Sequence, residues 1–265
     1  TDYMKKKIKI EPILALRDNY VWLISSKDSD YCVVIDPGES APVIDILRKR
    51  SLQLEAILIT HKHRDHTGGI LKLKKYCPDV VVYGPAKEPI NGVDITLQDG
   101  DKIVLMQLNI NFNVMDVPGH TEGHVAYYGE NSLFCGDTLF SCGCGRVFSG
   151  SYDQLNSSLE KFLQLPQETE CYCGHEYTKE NIGFAKLVEP LNTNLLRREE
   201  EVRLLRLMKR PTIPSTLKIE ALTNPFLRTN KKTVKKAAEK WIGHSLKNNA
   251  QVFFALRTWK DKDYD

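Results

Sequence analysis

The chain has 265 residues, 42% of them hydrophobic and 27% charged, with a formal net charge of +3 and seven cysteines. That length holds one large domain or a domain with a smaller appendage, and its core needs no disulfide staples. No apolar run approaches the roughly 18 residues of a membrane span, which excludes a transmembrane helix. An odd cysteine count predicts free thiols in a reducing cytoplasm, as do residues 1–7, which lead into the alternating Ile8-Lys9-Ile10-Glu11 and not into an apolar signal core. Charge is uneven: residues 178–265 carry 19 Lys/Arg against 10 Asp/Glu, and residues 1–177 carry 18 against 24. The basic section suits an anionic substrate or nucleic acid, and much of it also fits solvated helical faces.

Residues 8–16 alternate and then run apolar, 20–25 are apolar, and 31–35 form a β-branched run, so the first third of the chain opens as an antiparallel meander. Asp36-Pro37-Gly38 closes the third strand. Ser40 is placed to cap a helix on which Val43, Ile44 and Leu47 have helical spacing. Asp36 fits equally a turn residue and a carboxylate that orients a ligating histidine. A buried strand over 56–60 then delivers Thr60-His61-Lys62-His63-Arg64-Asp65-His66, with Gly68-Gly69 and a helix over 69–76 behind it. Open α/β sheets build their sites at such strand ends. His61 and His63 lie two apart and project alike from extended chain, whereas Asp65 and His66 come after a turn. The two pairs face different places, which suggests two metals, and imidazole with carboxylate suits zinc, iron or manganese.

A strand over 80–83 follows, and Asp99-Gly100 between the apolar triplets 95–97 and 103–105 predicts a hairpin. The strand over 111–117 runs into Pro118-Gly119-His120-Thr121-Glu122-Gly123-His124. Strands over 125–128 and 132–135 pair and end at Gly136-Asp137-Thr138. An amphipathic helix over 153–163 leads to a short strand over 170–173 that ends at Gly174-His175-Glu176. His120, Asp137 and His175 therefore each follow an apolar strand, as the first cluster does. From Thr178, itself placed to cap a helix, the strand pattern stops. Helices carry Ile182, Ala185 and Val188, then Leu195, Val202 and Leu205 as far as Pro211, and two more cover 233–241 and 249–259. A boundary near 177 thus separates an α/β domain (1–177) from a smaller helical one (178–265). Cys142-x-Cys144 and Cys171-x-Cys173 are too tightly spaced for a zinc knuckle and read as buried, inert residues. His244 reads as a surface residue.

His61-x-His63-x-Asp65-His66, with His120, Asp137 and His175 at strand ends, resembles the metallo-β-lactamase superfamily. The similarity extends to its hydroxyacylglutathione hydrolase (glyoxalase II) family through Arg17-Asp18-Asn19-Tyr20, Gly136-Asp137-Thr138-Leu139-Phe140 with Gly143-Cys144-Gly145, and Tyr172-Cys173-Gly174-His175-Glu176-Tyr177-Thr178. Pro214-Ser215-Thr216-Leu217, Asn224-Pro225-Phe226 and Arg257-x-x-Lys260 are similar to it as well. The resemblance implies an α/β fold, the αββα sandwich with a metal centre along one edge, and a smaller C-terminal helical domain. It implies two divalent ions, zinc first with iron or manganese as alternatives. One would be held by His61, His63 and His120, the other by Asp65, His66 and His175, with Asp137 bridging. His124 would be structural or would orient a ligating residue.

The implied reaction is hydrolysis of S-D-lactoylglutathione and related 2-hydroxyacylglutathione thioesters to D-lactate and glutathione, the second step of methylglyoxal detoxification. A hydroxide activated by the metal pair would attack, with Asp65 and Asp137 catalytic. Arg146, Tyr177, Asn181, Arg257 and Lys260 would bind the substrate, and Arg257 and Lys260, three apart on a helix, share a face from which to grip one carboxylate. Where many members have lysine and tyrosine after the residue matching Gly145, this chain has Arg146 and Phe148, which keeps the cation and loses a hydroxyl. The expectation is a cytoplasmic monomer acting on a small molecule, with no nucleic-acid or membrane partner.

Overall fold

In the computed structural model, which describes residues 8–265, the opening meander forms as the alternation predicts. The absence of a signal peptide was read from residues 1–7 and lies outside the described residues. The described residues up to Asp116 form one unit with Gly123–Gly136, and Val117–Glu122 form the other with Asp137–Asp265.

In the first unit, β1 (Ile8–Ala15), β2 (Asn19–Ser26) and β3 (Ser29–Ile35) run antiparallel, and β4 (Gln53–Leu58), β5 (Val81–Pro85) and β6 (Ile95–Leu97) continue the sheet in parallel. Val21, Leu23, Cys32, Val34 and Ile57 project to one face. There they pack with Val43 and Leu47 of α1 (Ala41–Arg50) and Ile70 and Leu73 of α3 (Ile70–Tyr76). The intervening Trp22, Ile24, Val33, Ile35, Ala56 and Leu58 are buried too. Burial on both faces is why these strands read as apolar runs and not as strict alternation. Each large side chain so buried contributes about 1.5–3 kcal/mol. A single turn, α2 (Arg64–Thr67), lies between β4 and α3. The unit's other strands, β7 (Lys102–Leu105), β8 (Ile110–Asp116), β9 (Val125–Gly129) and β10 (Ser132–Gly136), pair antiparallel in chain order. Tyr127 of β9 donates its hydroxyl to the Ile59 carbonyl just after β4.

Two local expectations in this unit are corrected. The Asp99-Gly100 hairpin does not form, because β6 pairs with β5 while β7 pairs with β8. Gly100 does take the left-handed φ of +85° that such a turn needs. However, its N–H donates to Val114 and Asp99 accepts the Asp116 N–H, so the turn is tied to β8 and carries the chain from one sheet to the other. Ser40 does not cap α1. Its own backbone is already helical (φ −84°, ψ −35°), it makes no side-chain capping bond, and proline opens the helix.

The second unit begins with a small hairpin of β11 (Leu139–Phe140) and β12 (Gly143–Cys144). Helix α4 (Tyr152–Phe162) follows, started by a capping box of Ser151 and Gln154. β13 (Glu170–Cys173) pairs antiparallel with β14 (Ser215–Thr216), a strand that the sequence pattern does not foretell. The helices are α5 (Thr178–Val188), α6 (Thr193–Leu207), α7 (Leu217–Thr223), α8 (Lys232–Ile242) and α9 (Asn249–Asp263). Thr178 is the first residue of α5 and not its cap, and its hydroxyl lies 2.6 Å from that of Thr212. Ile182 and Ala185 of α5 pack with Leu195 and Val202 of α6 around Cys142. Phe184 stacks on Phe226 and meets Trp259 edge-on. Among the described residues no helix is long and apolar enough to cross a membrane.

Candidate active site

In the first unit the parallel register sets Ile35 beside Leu58, so the ends of β3 and β4 meet. Asp36, turned by a φ of +54°, accepts the Thr60 N–H at 2.8 Å and the Thr60 hydroxyl at 2.6 Å, and its Oδ2 lies 2.9 Å from His66 Nδ1. The Thr60 hydroxyl is thus committed as donor to Asp36, and its oxygen receives His61 Nδ1–H at 3.0 Å. Both imidazoles therefore carry a proton on Nδ1 and turn Nε2 toward the neighbouring His63 and Asp65, the orientation that metal ligation through Nε2 requires. Asp36 fills both roles left open by its position, turn residue and orienting carboxylate. His63 is still extended (φ −60°, ψ 141°), and its Nδ1 lies 3.1 Å from His61 Nε2, as two donors aimed at one point should.

Asp65 and His66 come off α2, with Asp65 Oδ2 at 3.3 Å from His66 Nε2. Asn19, at the start of β2, donates to both the carbonyl (3.1 Å) and the carboxylate (3.0 Å) of Asp65. A Cβ on Gly38 would sit 1.7 Å from the Asp65 carbonyl oxygen, so this approach of the two loops admits only glycine. Buried Glu88 accepts the N–H groups of Lys62 and Gly123 and ties the histidine turn to the loop before β9. His124 is buried and stacks on His61 at 4.6 Å.

In the second unit Asp137 Oδ2 lies 3.6 Å from His120 Nε2 and 3.3 Å from His175 Nε2, all three residues being buried. His120 Nδ1–H donates to the Arg146 carbonyl at 2.7 Å, which again turns Nε2 toward Asp137. Phe148 donates its N–H to the His120 carbonyl, and its ring meets the imidazole edge-on at 5.1 Å. Tyr177 stacks on His175 at 4.7 Å. Asn181 is buried and donates to the Ser141 carbonyl, so any part it takes in the site runs through the β11–β12 hairpin. Arg257 and Lys260 do share a helix face, and both grip one carboxylate, that of Asp265. Arg257 also donates to the Cys144 carbonyl at 3.0 Å, and Arg146 reaches Asp265 at 3.4 Å. Burial pushes the Cys144 thiol up to about 11, even with Arg257 beside it. His244 is exposed.

Each unit gathers its own share of the expected ligands: His61, His63, Asp65 and His66 in one, His120, Asp137 and His175 in the other. Imidazole and carboxylate donors, with Nδ1 of His61, His66 and His120 already engaged by oxygen acceptors, fit divalent metals. Asn19, Thr60, Glu88 and Asp265 took no assigned role in the sequence reading. Asn19 lay inside a recognised motif, but nothing local marks Glu88 or Asp265.

Residues 15–175 match the model of the metallo-beta-lactamase superfamily, and residues 176–263 match that of the hydroxyacylglutathione hydrolase C-terminus. The hydroxyacylglutathione hydrolase of Nitrosomonas europaea is 46% identical over 255 residues, 96% of this chain and 96% of its own. The chain belongs to the hydroxyacylglutathione hydrolase family. The family member of Photobacterium profundum is 49% identical over 96% of this chain and 99% of its own. Among solved structures, ETHE1 from Myxococcus xanthus shares the fold, with a TM-score of 0.67 at 21% identity over 97% of this chain and 92% of that one. TTHA1623 in a di-iron-bound form aligns with a TM-score of 0.58 at 26% identity, covering 82% of this chain and all (100%) of the other. A metallo-β-lactamase domain followed by the family's C-terminal domain, carrying these His and Asp groups, suggests a dinuclear metal site.

Proposed function

We propose that this chain hydrolyses 2-hydroxyacylglutathione thioesters, S-D-lactoylglutathione foremost, to D-lactate and glutathione as the second step of methylglyoxal detoxification. The observation that carries the reading is the presetting of imidazoles as Nε2 donors, by Asp36 and Thr60 for His66 and His61 and by the Arg146 carbonyl for His120. By family motif, His61, His63 and His120 would hold one divalent metal and Asp65, His66 and His175 the other, with Asp137 available to both. Zinc is the first assignment, with iron and manganese as alternatives, since the donor set serves all three. Bound there, two such ions supply Lewis acidity, which lowers the pKa of water from about 15.7 toward roughly 7 and polarises the thioester carbonyl.

The chain's own residues do the remaining work. Asn19 fixes the Asp65 carboxylate, and Asp65 accepts a hydrogen bond from the attacking water and so orients it. A thiolate leaves readily, so no side chain need protonate it. Arg257, Lys260 and Arg146 offer cations to a carboxylate of the tripeptide, Tyr177 gives a flat wall, and Asn181 keeps the hairpin in place. In this reading residues 1–177 form the catalytic domain and residues 178–265 the helical domain that serves the glutathione end. The protein works as a cytoplasmic monomer on a small molecule, without nucleic-acid or membrane partners.

The test is thiol release from S-D-lactoylglutathione by purified protein, before and after a chelator, beside a thioester that lacks the glutathione moiety. Release only from the glutathione thioester, and only with metal present, is expected. No release, or equal release from both thioesters, rejects the proposal.

A further inference from the structure

Three cations converge beyond the end of α9, and the chain supplies its own anion to them. After Asp263 the backbone folds back, with the N–H groups of Tyr264 and Asp265 both donating to the Lys260 carbonyl at 3.2 and 2.9 Å. The Asp265 carboxylate thereby lies 3.0 Å from Arg257 Nη2 and 3.4 Å from Arg146 Nη2, and accepts a hydrogen bond from Lys260. Asp261, fixed on the same helix turn as Arg257, takes Arg257 Nη2 at 2.8 Å. Three cations there face the side-chain carboxylates of Asp261 and Asp265. Arg257 is fully buried and its Nε has no hydrogen-bond partner, so the pocket's donors exceed what the chain provides.

Asp265 is held in place by its neighbour. The Tyr264 hydroxyl donates to the Glu180 carbonyl at 2.8 Å, its ring meets Phe184 edge-on, and Lys260 Nζ lies 5.5 Å from the ring centroid. Helix α5 leaves room for this ring only because residue 183 is glycine, where a Cβ would sit 1.9 Å from the Tyr264 hydroxyl. Although burial disfavours its charged form, Lys260, Arg257 and Arg146 together hold the Asp265 carboxyl below its ordinary range, so the occupant is an anion at neutral pH.

We infer that Tyr264 and Asp265 form an internal strap whose carboxylate occupies the cation pocket of the substrate site, and that a carboxylate of the substrate must displace it to bind. This regulation rests on the proposed assignment of Arg257 and Lys260 to the glutathione end of the site. The exchange swaps one carboxylate for another on the same donors, so opening the strap is a modest barrier. A ligand's apparent affinity falls by the fraction of molecules in the open form, and a strap closed in about four molecules of five weakens binding about fivefold.

The experiment measures glutathione affinity by calorimetry, and KM for S-D-lactoylglutathione, on the full-length metal-loaded protein and three variants. Asp265→Asn should tighten glutathione binding and lower KM, each by about fivefold. Gly183→Ala, remote from the cations, should push the Tyr264 ring from its seat and act in the same direction, and it decides the matter if Asp265→Asn does not fold. Unchanged or weaker binding in either folded variant overturns the strap, because a carboxylate that merely neutralises buried charge would have no competitor's effect. Arg257→Ala separates the two levels of the argument. If it leaves glutathione binding intact, the site assignment fails, and the strap with it. If it weakens binding while Asp265→Asn and Gly183→Ala change nothing, the strap alone fails.

Discussion

Glu220 is the side chain on which the loop after Asp137 most depends. It is fully buried on α7, and its two oxygens accept four hydrogen bonds: from the hydroxyls of Ser141 (2.8 Å) and Ser215 (2.5 Å), the backbone N–H of Cys142 (2.8 Å) and the amide of Asn224 (3.1 Å). Replacing it with alanine removes every acceptor. The two hydroxyls can rotate, and the Asn224 amide keeps the carbonyls of Phe140 and Gly143, but the Cys142 N–H is left buried and bare. The lost bond to a charged group, at about 2 kcal/mol, and the desolvation penalty of the unsatisfied Cys142 N–H, at about 2 kcal/mol, set the loss at about 4 kcal/mol. Glutamine keeps the volume and one oxygen for Cys142 and Asn224, while its NH2 faces hydroxyls able to accept, so Glu220→Gln should cost about 1 kcal/mol. For a chain of this size these losses correspond to about 10 °C and about 2–3 °C in Tm. Urea titrations at constant m value give the free energies directly. Equal losses from Gln and Ala, or an Ala variant within about 1 kcal/mol of wild type, would refute the hydrogen-bond geometry as the source of the stability.

Asp137→Ala, which removes the proposed shared ligand, should abolish both metal content and thioester hydrolysis, and full activity with two bound metals would reject the bridging role. Exhaustive chelation should likewise abolish turnover, with recovery on adding zinc back; turnover that persists in chelated, metal-free protein counts against the centre. Arg257→Ala and Lys260→Ala should raise KM far more than they lower kcat, as expected for groups that bind the substrate's remote end; an unchanged KM in both removes that role. Glu189 supplies a pH signature. Burial pushes its carboxyl up, but hydrogen bonds from Arg228, Thr233 and Asn192 more than offset this and hold it below the ordinary value. A depressed folded-state pKa stabilises fully above the unfolded value of about 4.3 and is lost as pH falls through the folded one. The stability deficit of Glu189→Gln should therefore shrink as the pH is lowered from about 6 to about 3, and a constant deficit in urea melts across that range contradicts the assignment.

The strands that hold the histidines were legible because burial on both faces writes long apolar runs into the sequence, and the ligands follow those runs directly. Residues such as His61 and Asp65 thus announced themselves through chemistry and position together. Asp99-Gly100 misled because a left-handed glycine reports a turn without reporting which strands it joins. Ser40 and Thr178 misled because a hydroxyl near a helix start caps only if the backbone there is not already helical. β14 has two residues and no period to read. Glu88 and Glu220 were silent because the loops they hold lie far away along the chain, Lys62 26 positions from Glu88 and Ser141 79 from Glu220, and nothing near an isolated glutamate records so distant a partner.

The buried thiol of Cys144 has a bearing on the proposed reaction itself. An enzyme that sheds glutathione beside its own cysteines risks forming mixed disulfides with the oxidised form of its product, and such exchange proceeds through the thiolate. With its pKa at about 11, Cys144 is ionised in only about one molecule in ten thousand at neutral pH. The sulfur 3.8 Å from the Arg257 guanidinium is thus kept chemically quiet by desolvation, a protection against S-glutathionylation beside the cations proposed to bind the tripeptide.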